Sequence, residues 1–220
     1  MQALPDLPTA AFEPTDHRGV LAPQATTLAG PRVRLEPLAE QHLPGLAEAI
    51  GDGQLWALPF TFIPHPQDLP AFLSQARAAS SAGRELAFAT VDAASGQVLG
   101  STRFRNIEAG HRRVEIGATF VAASWQRTHV NTEAKFLMLC HAFEAWHCHR
   151  VELLTDERNT RSRQAIVRIG AREEGLLRDH MVMRDGFVRT SVMHSLLARE
   201  WPQAKAALAA RMATHSIATD

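Results

Sequence analysis

Tyrosine is absent from this 220-residue chain, so no phenol is available as an acid, a base or a nucleophile. Cysteine occurs only as Cys140 and Cys148, too few for a disulfide framework, and that scarcity fits a reducing compartment. No apolar run approaches the roughly 20 residues that a membrane span needs. The opening MQALPDLP has neither a basic segment nor an unbroken apolar core, so it does not read as a secretory signal. An excess of one charge is missing too: Lys and Arg number 23, Asp and Glu 23. That balance supplies no field for nucleic acid or an anionic membrane. The expectation is a cytoplasmic globular protein with neither as partner. A 45% hydrophobic composition over this length suffices for one sizeable core.

What is present divides the chain. Residues 1–30 carry four of the twelve prolines (Pro5, Pro8, Pro14 and Pro23) amid Ala and Thr, and read as an extended or disordered arm. From Pro31 onward the periodicities of packed elements begin. Arg32–Pro37 alternates as a strand does, and Leu43, Leu46 and Ile50 repeat at helical spacing. Asp68 and Pro70 start a second helix carrying Phe72, Leu73 and Ala76. Strand chemistry follows at Glu85–Val91, Val98–Phe104 and Arg113–Val121. In the last of these, strict alternation puts Val114, Ile116, Ala118 and Phe120 on one face, with Glu115, Gly117 and Thr119 on the other. Later come a strand at Arg150–Thr155, a short helix at Arg161–Ile169 ended by Gly170, and two strands flanking the Asp-Gly turn of Arg184–Gly186. Ala198–Met212 closes as a helix. A strand meander followed by alternating strands and helices predicts one α+β domain over residues 31–220: a mixed central sheet with helices on both faces.

Between the third strand and the apolar run FLMLCHAFEAW lies WQRTHVNTEAK, Trp125 to Lys135. It reads as the approach to a helix N-terminus, where unpaired backbone N–H groups and the macrodipole attract anions. Gln126, Arg127, Thr128, His129, Asn131 and Thr132 add side-chain donors at the same point. The plainer reading is that Asn131 or Thr132 caps the helix while Arg127 stays solvated.

The order of elements and several motifs resemble the GNAT acyltransferase superfamily, and within it the branch that acetylates ribosomal-protein N-termini. Gln126-Arg-Thr-His-Val-Asn131 followed by Glu133-Ala134 is similar to that family's acetyl-coenzyme A loop. VEIG (Val114–Gly117), NTRS (Asn159–Ser162) through IGA (Ile169–Ala171), EEGLLRDH (Glu173–His180), RDG (Arg184–Gly186) and EWP (Glu200–Pro202) match in order. Two departures stand out. His129 and Asn131 occupy positions where the family has Gly and Gly or Ala, and Ile166 stands where many relatives have the Tyr that protonates the leaving thiolate.

The resemblance implies a direct transfer of acetyl from acetyl-CoA to a primary amine, either a protein N-terminus or a small molecule. Gln126, Arg127, Thr128, His129, Val130, Asn131 and Thr132 then bind the pyrophosphate. Phe120 and Val121, in a strand expected to bulge, offer a backbone N–H to the thioester oxygen. Glu115 is the candidate base, with pairing to Arg113 or another cation as its plain alternative. Ser162, or a water, is the candidate acid, and Asn159 holds the pantetheine arm; capping the following helix is the plain role of both. Cys140, His141, His147, Cys148 and His149 invite a metal reading, but their spacing matches no tetrahedral zinc pattern, so no metal is expected. A catalytically silent acyl-CoA-binding protein is the competing reading, and homodimers are common in the family.

Overall fold

A computed structural model describes residues 23–217. The chain runs through strands β1 (Leu28–Ala29) and β2 (Val33–Pro37), helices α1 (Leu43–Gly51) and α2 (Leu69–Ser81), then β3 (Leu86–Asp92), β4 (Val98–Glu108) and β5 (Arg113–Val121). Helix α3 (His129–Cys140) follows and loosens into a π-helical turn at His141–Ala145. Strand β6 (Arg150–Asp156), α4 (Thr160–Arg168), the hairpin β7 (Arg172–Val182) and β8 (Val188–Leu197), and α5 (Trp201–Ile217) complete it. The expected arm falls outside the described residues over positions 1–22; within 23–30, Leu28 and Ala29 pair with Leu35 and Arg34 of β2.

Eight strands form one sheet in the order β1-β2-β3-β4-β5-β6-β8-β7. Every pairing is antiparallel except β5 with β6. The mixed sheet carries helices on both faces. Val130, Ala134, Met138 and Leu139 of α3 pack with Val114, Ile116, Val151, Leu153 and Leu196 of the sheet, and Trp201 and Leu208 of α5 join them. On the opposite face Leu46 and Ile50 of α1 and Leu69 of α2 cluster with Phe120.

Phe120 therefore lies on the face opposite Val114 and Ile116, contrary to strict alternation. The cause is a bulge. Arg103 of β4 pairs with Gly117, yet Ser101 pairs with Phe120, so β5 takes three steps where β4 takes two. Ala118 absorbs the extra residue with φ +47°. One inserted residue inverts the facing of all that follow. Thr119 thus turns toward α3, and Phe120 toward α1 and α2. Gly100 of β4 makes room for this: a Cβ there would sit 2.0 Å from the Phe120 carbonyl oxygen.

The single parallel seam is short. Arg113, Val114 and Glu115 pair with Arg150, Val151 and Glu152, and there the pairing stops. Beyond it β5 stays paired with β4 and β6 with β8. The two strands part toward their C-terminal ends, opening a wedge in the middle of the sheet.

Candidate active site

Both strands bordering the wedge lead into helices. α3 begins at His129, earlier than expected, so half of the supposed approach is its first turn. The cap is Thr128 rather than Asn131 or Thr132: its hydroxyl accepts the Val130 N–H at 3.3 Å and donates to the Trp125 carbonyl at 2.7 Å. Arg127, exposed, takes the left-handed conformation at φ +65°. His129 and Asn131 are helical, so glycine's conformational freedom is not required at either position. The His129 ring meets Trp125 edge-on at 6.3 Å and lowers the Asp92 carboxyl by its charge, secondary to the Ser95 hydrogen bond. Asn131 and Thr132 lie half-buried in the first turn.

Gln126 spans the wedge. Its amide donates to the Val121 carbonyl at 2.9 Å and accepts from Arg161 of α4 at 2.8 Å. Across from it, the Asn159 side chain accepts the Ser162 N–H at 3.0 Å and caps α4. Capping therefore belongs to Asn159, and the half-buried Ser162 hydroxyl makes no hydrogen bond among the described residues.

Glu115 is 6% exposed and lies at the last pair of the seam. Its carboxylate accepts from Asn106 at 2.7 Å and stands 3.8 Å from Arg105. Arg113 is committed elsewhere, to Glu152 at 3.0 Å. Burial raises the Glu115 carboxyl above its ordinary range, against the opposing pull of Arg105. The side chain leans along the strand over Gly117, where a Cβ would come within 2.7 Å of Oε1. A buried, partly neutralised carboxylate thus points toward the bulge. Arg189, 7% exposed, shares this face with Asp156 and Glu115, and its Nε has no hydrogen-bond partner among the described residues. Over the same face, Arg184 in the β7–β8 turn donates to the carbonyls of Ile63 at 2.7 Å and Phe62 at 2.8 Å. That strap roofs the sheet on the side away from α3.

Sequence reasoning passed over Lys135. It is 5% exposed, and its ammonium donates to Thr119 Oγ1 at 2.6 Å and Thr102 Oγ1 at 3.0 Å. Burial lowers it from 10.5 to about 7. The signal was available: Lys135 falls in the helical stripe of Ala134, Met138, Leu139 and Ala142, where a charge is out of place. Glu133 was also passed over. Fully buried, it accepts the N–H groups of Arg32 at 2.8 Å and Val33 at 3.0 Å, tying α3 to the start of β2.

Among the described residues no group of three or more His, Cys, Asp or Glu is placed to hold a metal ion. Cys148 is a core residue whose thiol burial pushes up to about 12, and His141 packs edge-on to Trp146 at 4.7 Å.

A wedge at the centre of a mixed sheet, with a capped helix start at its mouth and a bulge at its root, is a geometry for an extended ligand with an anionic end. Residues 32–172 match the family model described as an acetyltransferase (GNAT) domain. The chain belongs to the GNAT acetyltransferase family. A GCN5-related N-acetyltransferase from Brucella melitensis superposes with a TM-score of 0.78 at 32% identity, covering 87% of each chain. RimJ of Mycobacterium smegmatis, solved with CoA-disulfide, gives 0.71 at 28% identity over 84% of this chain and 91% of its own. YdaF of Bacillus subtilis (strain 168) is 32% identical over 106 residues, which is 48% of this chain and 57% of YdaF. No helix among the described residues is long and apolar enough to cross a membrane.

Proposed function

We propose that this GNAT domain transfers acetyl directly from acetyl-CoA to a primary amine, with Glu115 as base. One observation carries the reading: Glu115 lies buried at the root of the wedge, leaning over Gly117 toward the bulge. Acetyl-CoA supplies an acyl thioester, and the residues present fit it. The first turn of α3, from Thr128 to Thr132, offers backbone and side-chain donors to a pyrophosphate, with Arg127 and Arg161 beside it. Gln126 holds the two sides of the wedge at a fixed distance, and Asn159 orders the start of α4. Past the bulge Phe120 and Val121 stay paired with β4 and have left β6, so the open edge of β5 offers backbone donors to a thioester oxygen. Glu115 takes the amine's proton through either carboxylate oxygen, and Ser162 is placed to offer a hydroxyl at α4.

A protein N-terminus is the favoured acceptor, supported by the name of YdaF, which assigns it provisionally to ribosomal N-acetylation. Nothing in the comparisons favours a silent acyl-CoA-binding role. The test is acetyl-CoA binding by calorimetry, followed by mass analysis of Ser- and Ala-initiated peptides and of small amines incubated with enzyme and acetyl-CoA. Micromolar binding, about 8 kcal/mol, together with acetylation at an α-amine is expected. Absence of binding at millimolar acetyl-CoA would overturn the reading.

A further inference from the structure

Lys135 is a buried ammonium that the base, the helix start and the α4 cap all leave unused. It has no carboxylate partner; burial alone depresses it, with no charged group of α3, β4 or β5 contributing among the described residues. Removing an ammonium from water is costly unless the site repays it. What surrounds it here is a pair of hydroxyls that close a triangle with its Nζ: Thr119 and Thr102 lie 2.8 Å apart, and each accepts from Lys135 Nζ. Thr102 is fully buried, whereas Thr119 is exposed in the bulge. One hydroxyl of the pair is thus open to solvent at the bulge with an ammonium behind it, in a chain that has no tyrosine.

We propose that Thr119 donates the proton to the departing thiolate and that Lys135, acting through Thr119, supplies it. This rests on the acetyl-transfer reading above. As the acceptor nitrogen bonds to the acyl carbon, the C–S bond breaks and its electron pair leaves with sulfur. Thr119 Oγ1 gives its proton to that sulfur and takes one from Lys135 Nζ, which passes from ammonium to amine. The nitrogen's surplus proton goes to Glu115. Lys135 regains a proton through the same hydroxyls after the products leave. Thr119 is then the catalytic group and Lys135 a positioning residue that keeps it charged with a proton. An acid works best with its pKa near the operating pH, which the burial of Lys135 provides.

The test compares Thr119→Val, Thr119→Ser, Lys135→Met and Ser162→Ala with the wild type. Turnover is followed from pH 6 to 9 with the best acceptor peptide, and the Lys135 amine is followed by NMR of 15N-lysine-labelled protein. The ammonium must be present to act, so wild-type kcat falls as pH rises through about 7. In Thr119→Val and Lys135→Met, kcat drops by about a hundredfold, KM for acetyl-CoA stays close to wild type, and the alkaline fall disappears. Thr119→Ser restores both, and Ser162→Ala keeps the alkaline fall. Because Thr119 is exposed, its variants fold even if Lys135→Met does not. Bound CoA raises the Lys135 midpoint in wild type and leaves it unmoved in Thr119→Val. Retention of the alkaline fall in Thr119→Val, or a wild-type midpoint that CoA does not shift, overturns the relay. If no amine is acetylated although acetyl-CoA binds, the transfer reading fails and the relay falls with it, whereas acetylation that keeps the alkaline fall in Thr119→Val overturns the relay alone.

Discussion

Two buried ionisable residues, Glu115 and Lys135, approach the bulge from opposite faces of the sheet, and burial moves both toward neutrality at working pH. Their signs differ in consequence. As the proposed base, Glu115 must be ionised to act, so activity should rise with pH through its raised carboxyl; Glu115→Gln should lower kcat by about tenfold or more and remove that acid limb, as a pH series of initial rates would record. Lys135 also leaves a mark on stability. Its folded value, about 7, lies below the ordinary 10.5, so between these values the unfolded chain binds more protons and stability rises with pH. Below 7 the full cost of the buried ammonium remains. Denaturant titrations across pH 7 to 10 should show a gain of up to about 1.4 kcal/mol per pH unit from this group, and Lys135→Met should abolish that slope and be the more stable protein at pH 7.

Elements were largely legible from the sequence, and what escaped was the placement of faces within them. β5 has the expected bounds, Arg113–Val121, because β-branched and polar residues alternate cleanly through it. The same alternation misassigns Phe120 and Thr119, since no residue type announces that a strand will take one extra step. The determinant sits on the neighbouring strand, at Gly100, whose missing Cβ admits the Phe120 carbonyl. β7 likewise reaches back to Arg172, far ahead of the Asp-Gly turn that marks it in the sequence, because Glu173–Arg178 lie on an edge strand whose exposure hides a buried periodicity. Gly100→Ala should push β4 and β5 apart at the bulge. A core clash of this kind costs about 1–3 kcal/mol, read as a lowered denaturation midpoint. The Thr119 hydroxyl would move with it, so kcat should fall further than it does in a variant equally destabilised far from the wedge.

At the scale of the molecule, the sheet is two wings joined by a narrow seam, with α3 packing against both. One holds β1–β5 with α1 and α2; the other holds β6–β8 with α4 and α5. The three backbone pairs of the seam are backed by Arg113 and Arg150, both bound to Glu152, at 3.0 and 2.8 Å. The Gln126–Arg161 bond closes the wedge at its mouth. The helix start at Thr128 and the cap at Asn159 were readable as local motifs, whereas their meeting across the wedge was not, because it depends on where two strands stop pairing. A ligand in the wedge touches both wings, and this makes the coupling measurable. At a hundredfold excess over Kd, acetyl-CoA should stabilise the fold by about 2.7 kcal/mol, seen as a higher thermal midpoint. Hydrogen exchange should slow together in the C-terminal half of β5, the first turn of α3 and the start of α4. Arg161→Met should leave the ligand-free midpoint nearly unchanged, since a surface hydrogen bond contributes only about 1 kcal/mol. It should nonetheless uncouple the protection, leaving α3 slowed and α4 exchanging freely. Protection confined to α3 in the wild type would mean that the ligand rests on the helix start alone and never enters the wedge.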